Sequence, residues 1–78
     1  MKIHIKPFGI ARDIIGGARE MELSGKTVKD LRQSLLSTYP DLQGLKSLMI
    51  AVNKEYADDD LVLSPSDEVV LIPPVSGG

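Results

Sequence analysis

One segment of this chain is long enough and periodic enough to form a substantial helix, and that limits the fold to an α+β arrangement built around it. Thr27 reads as an N-cap, with Asp30 three residues on as its capping-box partner. Val28, Leu31, Leu35 and Tyr39 then recur at helical spacing, and Leu36 widens the stripe. Lys29, Asp30, Arg32 and Gln33 take the wet side, and Pro40 ends the segment. With 78 residues in all, 42% hydrophobic and 26% charged, the chain is bounded to one small globular domain with a modest core. A large catalytic cleft is not expected from so short a chain.

Strand signals surround the helix. Met1 to Phe8 alternates, with Ile3 and Ile5 on one face and Lys2, His4 and Lys6 on the other. Gly9 closes that strand, Ile10 to Ile15 forms a short amphipathic piece, and Gly16-Gly17 stops it. Arg19 to Leu23 alternates again and pairs antiparallel with the first strand. Asp41 to Lys46 is a loop or a short turn of helix, and Leu48 to Val52 is a strand. Lys54-Glu55 is read as a turn and Tyr56-Ala57 as a short strand broken by Asp58-Asp59-Asp60. Ser64-Pro65-Ser66-Asp67 has the residues of a type I turn. In the last strand, Glu68 to Pro73, Val69 and Leu71 face one way and Val70 and Ile72 the other. Both faces are apolar, which places this strand centrally or beneath a partner. The order predicts a β-grasp: a mixed sheet of four to five strands wrapped on one main helix, first and last strands side by side.

Composition removes several function classes. The net charge is −2 and Lys and Arg do not cluster, so nucleic acid is not an expected partner. No apolar run is long enough to span a membrane and no signal-peptide pattern opens the chain, so the cytoplasm is the expected location. Cysteine is absent, which removes disulfides, thiolate metal sites and cysteine nucleophiles together. His4 is the single histidine and reads as a surface residue, with no carboxylate at ligand spacing along the chain. Asp58-Asp59-Asp60 lacks the glycine and distal glutamate of a calcium loop and reads as a solvated turn. No metal site is expected.

The sequence closes on Pro73-Pro74-Val75-Ser76-Gly77-Gly78. Two glycines leave the carboxylate on a bare stalk that fits where a Cβ would clash. Two prolines stiffen its base in an extended form. Residues 73–78 are therefore expected to be an extended, mobile tail on a single domain spanning 1–78. Such a tail holds out a carboxyl group for a narrow pocket to take in. Phe8, the single phenylalanine, either caps the core or stands exposed as an interface anchor. Val70 and Ile72 present the same choice, and Arg12 is either a surface ion-pair residue or a partner contact.

These features carry a family likeness. The order of elements resembles a ubiquitin-like β-grasp. Asp67-Glu68-Val69-Val70 followed by Pro73-Pro74-Val75-Ser76-Gly77-Gly78 resembles the small subunit of molybdopterin synthase, the MoaD family. Ala51-Val52-Asn53 looks like that family's middle strand, and Phe8 to Gly16 looks like its first loop. Pro7 stands where the family commonly has a large apolar residue, and Gly9 replaces a common alanine. The resemblance implies a sulfur carrier. An E1-like adenylating enzyme would use ATP to convert the Gly78 carboxylate into an acyl-adenylate. A sulfur donor protein would then leave a thiocarboxylate. AMP and sulfur are thus transient covalent states at Gly78, with Gly77 beside it, and no cofactor is permanently bound. The tail would enter the large synthase subunit in a heterotetramer and pass sulfur to a cyclic pyranopterin precursor, forming the molybdopterin dithiolene. Phe8, Arg12, Val70, Ile72, Pro73, Pro74, Val75 and Ser76 are implied as partner-binding residues. The chain would not be catalytic alone; it would be the sulfur-donating subunit of a sulfurtransferase complex. Two alternatives stand beside this: a carrier for another pathway, such as thiamin or a tungsten cofactor, and a protein modifier conjugated through Gly78.

Overall fold

The computed structural model describes residues 1–45 and 48–73. Strand β1 (Lys2–Pro7) alternates as its sequence does, with Ile3, Ile5 and Pro7 buried and Lys2, His4 and Lys6 exposed. It pairs antiparallel with β2 (Arg19–Glu22), Ile3 facing Met21 across the ladder. Between them, α1 (Gly9–Ile15) buries Ala11 and Ile15. It ends at Gly16, whose φ of 99° lies in the left-handed region and whose N–H donates to the Arg12 carbonyl at 2.7 Å.

Helix α2 (Val28–Thr38) begins with a complete capping box. Thr27 Oγ1 accepts from the Asp30 N–H at 3.2 Å, and Asp30 Oδ2 accepts from the N–H groups of Lys26 at 3.0 Å and Thr27 at 3.2 Å. The Lys26 and Thr27 amides, with the Thr27 hydroxyl, hold the Asp30 carboxyl below the usual carboxylate range. Gly25 makes room for this: a Cβ there would lie 2.5 Å from Asp30 Oδ2. Two further first-turn amides are satisfied from a distant segment, Val28 N–H by the Leu61 carbonyl and Lys29 N–H by the Asp59 carbonyl, both at 3.0 Å. The Asp59 carboxylate also meets Arg32 Nε at 3.5 Å. Thus Asp58-Asp59-Asp60, read from sequence as a solvated turn, includes a clasp on the start of α2. A 3-10 turn (Pro40–Gly44) follows α2 and buries Leu42.

Strands β3 (Met49–Val52) and β4 (Glu55–Tyr56) form a hairpin with Val52 facing Glu55 and Ala51 facing Tyr56. Its turn is Asn53-Lys54, with φ values of 52° and 73°, one residue earlier than the Lys54-Glu55 turn expected from sequence. A two-residue hairpin of this kind needs positive φ at both central positions, which asparagine tolerates better than glutamate. Asn53 then serves twice. Its Oδ1 accepts from the Glu68 N–H at 3.0 Å, and its Nδ2 donates to Asp67 Oδ1 at 3.0 Å. Asp67 Oδ2 accepts from the Ser64 N–H at 2.8 Å, closing the Ser64–Asp67 turn. The Ser64 amide, then the Asn53 side chain, lower the Asp67 carboxyl as well.

Strand β5 (Glu68–Ile72) lies in the middle of the sheet, whose order is β2-β1-β5-β3-β4. It runs parallel to β1 and antiparallel to β3. Val69 and Leu71 join Ile3, Ile5 and Ile50 on the inner face, packed against Leu31 and Leu35 of α2. Each such fully buried aliphatic side chain contributes about 1.5–3 kcal/mol. The architecture is the ubiquitin-like β-grasp that the pattern predicts, with five strands in the mixed sheet.

Asp30 and Asp67 both have lowered folded-state pKa values. Their contribution to stability is therefore complete above the ordinary carboxylate pKa and is lost as pH falls through that value toward the folded ones. Replacing both by Asn is expected to flatten the fall of the urea midpoint between about pH 6 and about pH 3. An unchanged acid limb in that variant would show that neither carboxylate controls acid stability.

Candidate functional site

The site begins where β5 leaves the sheet. Phe8 N–H donates to the Leu71 carbonyl at 3.0 Å, which ties the end of β5 to the corner between β1 and α1. Pro73, half-buried, lies against the same corner. A Cβ on Gly9 would sit 3.0 Å from Pro73 Cγ, and Gly9 has a φ of +55°. Gly9 therefore supplies both the left-handed backbone and the space that Pro73 occupies. Pro73 was assigned from sequence to the extended tail; in the structure it rests on the body. Pro74, Val75, Ser76, Gly77 and Gly78 lie outside the described residues.

Beside this exit is the sheet face turned away from α2. The register sets Lys6 opposite Val70, Val70 opposite Ala51, and Ala51 opposite Tyr56. A second row sets Ile72 opposite Met49, and continuing the β1–β5 register brings Phe8 beside Ile72. Val70 and Ile72 are half-buried, whereas Phe8 is 45%, Met49 43% and Tyr56 68% exposed. The result is an apolar band running from edge strand β4 to Phe8 and meeting the strand exit at Pro73. Phe8 is thus an exposed ring, not a cap on the core.

Of the residues singled out from sequence, Phe8, Val70, Ile72 and Pro73 come together here. Arg12 lies on the other side of Phe8, lining a cleft of about 230 Å³ with Lys6, Pro7 and Ala18. Met49 and Tyr56 were not anticipated as members of the site. The cross-strand position of Tyr56, opposite Ala51, places it on this face. His4 is also not the isolated group expected: its Nε2 lies 3.4 Å from Glu20 Oε2 on β2, a partner far along the chain. Among the described residues no set of three His, Asp or Glu side chains is arranged to hold a metal ion. No helix among them is long and apolar enough to cross a membrane. The geometry offers a partly exposed apolar surface beside a firmly held strand end.

Residues 5–78 match the ThiS family. The chain belongs to that family. The molybdopterin synthase sulfur carrier subunit of Arabidopsis thaliana is a relative 32% identical over 82 residues, covering 100% of this chain and 84% of the plant protein. One solved structure it resembles is a chain of the protein-protein complex of subunits 1 and 2 of the molybdopterin-converting factor from Helicobacter pylori 26695. The TM-score there is 0.70 at 28% identity, with 100% of both chains covered. Small archaeal modifier protein 1 from Methanosarcina acetivorans superposes with a TM-score of 0.78 at 29% identity, covering 99% of this chain and 96% of that one.

Gly9→Ala places a Cβ in the left-handed region and against Pro73. The expected cost is about 1–2 kcal/mol in urea unfolding. A variant as stable as the parent would mean that the corner relaxes freely around Pro73.

Proposed function

We propose that this chain is the sulfur carrier subunit of a molybdopterin synthase. The observation that carries the reading is the match, over the whole of this chain, to a relative named as such a subunit, with the sequence closing on Gly77-Gly78. The chemistry is consistent with it. A carboxylate is a poor electrophile, because its charge repels nucleophiles and its oxygen leaves badly. In the proposed cycle the Gly78 carboxylate attacks the α-phosphate of ATP on an E1-like adenylating enzyme and pyrophosphate departs. A terminal persulfide on a donor protein then attacks the acyl carbon and AMP leaves; a second thiol cleaves the resulting acyl disulfide, so that the thiocarboxylate is freed and the donor sulfur leaves in a disulfide with that thiol. Splitting one hard substitution into two easier ones is the logic of covalent activation. The chain contributes the carboxyl group and its delivery, and the catalytic groups belong to the partners. With no cysteine in the sequence, the terminus is where sulfur would be carried.

In this reading the apolar band of Phe8, Val70, Ile72, Met49 and Tyr56 seats the large subunit, two copies of each making a heterotetramer. Pro73 starts the tail at the margin of that contact, so docking aims the terminus into the partner. The precursor pterin receives the sulfur there, in the cytoplasm. A second reading is favoured by the likeness to the small archaeal modifier protein: conjugation of the Gly78 carboxyl to lysines of other proteins.

Intact mass after incubation with ATP, the adenylating enzyme and a sulfur source is expected to rise by the difference between sulfur and oxygen, localised to Gly78. No gain, with the enzyme active on another carrier, would overturn the sulfur-carrier reading; isopeptide adducts on lysines would favour the modifier. Deleting Gly78 is expected to abolish sulfur transfer and leave the urea midpoint unchanged. A lowered midpoint would mean that the terminus is part of the folded body.

A further inference from the structure

The cleft on the far side of Phe8 is lined by two cations and no acid among the described residues. Lys6 Nζ stands 5.6 Å from the centre of the Phe8 ring, and Arg12 lines the same cleft. Neither cation has an ion pair among the described residues. The other two arginines are engaged: Arg19 donates to the Tyr39 hydroxyl at 3.0 Å, and Arg32 meets Asp59 and the Leu48 carbonyl. The acids of neighbouring β2 are placed away from the cleft, Glu20 beside His4 at 3.4 Å and Glu22 beside the Met1 amino group at 3.9 Å. The remaining wall, at Pro7, Gly17 and Ala18, brings no charge, and the acids at the start of β5, Asp67 and Glu68, line the adjoining pocket instead. In a chain of net charge −2, this corner is a local positive site with an exposed aromatic floor.

We infer that the cleft between Lys6 and Arg12 docks an acidic segment of the large-subunit partner. A carboxylate lies between the two cations and an adjoining apolar group lies on Phe8. This rests on the reading above, that the chain docks a large subunit, and adds the chemistry of one contact. Two observations favour a protein segment over a small anion. A phosphate can use the two cations but not the 45% exposed ring. The cleft adjoins the apolar band through Phe8, so a protein seated on the band reaches it without a separate binding event. Guanidinium can pair with a carboxylate through two parallel hydrogen bonds, as it can with a phosphate, a geometry that sets register as well as attraction. The cleft thereby orients the partner at the corner where Pro73 leaves the sheet. Charges of this kind act mainly on encounter rate and on the choice among partners.

The test measures association of the full-length carrier with its large subunit across a salt series, using Lys6→Glu, Arg12→Glu and the double variant. Lys29→Glu on α2 is the control for net charge, and thermal midpoints check that each variant is folded. At low salt the double variant is expected to associate on the order of tenfold or more slowly, with the difference vanishing at high salt, while Lys29→Glu stays near the parent. Equal slowing by Lys29→Glu would reduce the effect to net charge and overturn the site. Parental rates in the double variant would overturn it too, and leave the carrier reading intact if the complex still forms. Binding of inorganic phosphate at Arg12, seen by chemical shift, together with parental association rates, would reassign the cleft to a small anion. Failure of the parent chain to bind the large subunit at all would remove the reading beneath the proposal, and the proposal with it.

Discussion

The last strand lies between the first and the third, and the rest of the structure depends on that placement. A parallel pair such as β1–β5 cannot be joined by a tight turn, so a long connection must cross between them. Here the connection contains α1, β2, α2, β3 and β4, and it supplies the helix that covers the inner face of the sheet. Val69 and Leu71 are buried there because strands flank them on both sides and α2 lies over them. The outer face of the same strand, Val70 and Ile72, faces no helix. One five-residue segment thus completes the core, presents a half-buried apolar outer face, and leads in sequence to the glycine pair.

Two aspartates hold the parts that this arrangement brings together. Asp30 gathers the amides at the start of α2, and Asp67 closes the turn that feeds β5 and binds Asn53 at the end of β3. The second network joins two stretches that resembled a family pattern separately in the sequence, Ala51-Val52-Asn53 and Asp67-Glu68. In space they are one device: a side chain from one turn fixes the first residue of the central strand, and with it the register that aligns Val70 with Lys6 and Ala51.

Much of this was legible in the chain because it follows from local pattern. Alternation in Met1 to Phe8, the helical stripe from Val28 to Tyr39 and the two apolar faces of Glu68 to Ile72 each specify an element and its buried side. What was not legible was set by residues meeting across the sheet. The Asn53-Lys54 turn falls one residue before the expected one, an asparagine-lysine pair being a weaker hairpin signal than asparagine-glycine. The pairing of His4 with Glu20 requires the β1–β2 register, and the clasp of Asp59 on α2 requires the crossover to return beside the helix. Gly9 departs from a common family alanine, and the structure supplies the reason: its backbone is left-handed and Pro73 fills the space where a methyl group would be.

The central position of β5 also decides how the molecule bears load. A terminus drawn into a tight pocket, and later withdrawn, is pulled along the axis of the strand that carries it. That strand is bonded on one side to β1 and on the other to β3, so a pull along it loads both ladders in shear, with their hydrogen bonds sharing the force. An edge strand pulled outward would instead peel one bond at a time. The same pairing that buries Leu71 therefore makes the body a firm handle, able to be gripped by its end without unravelling.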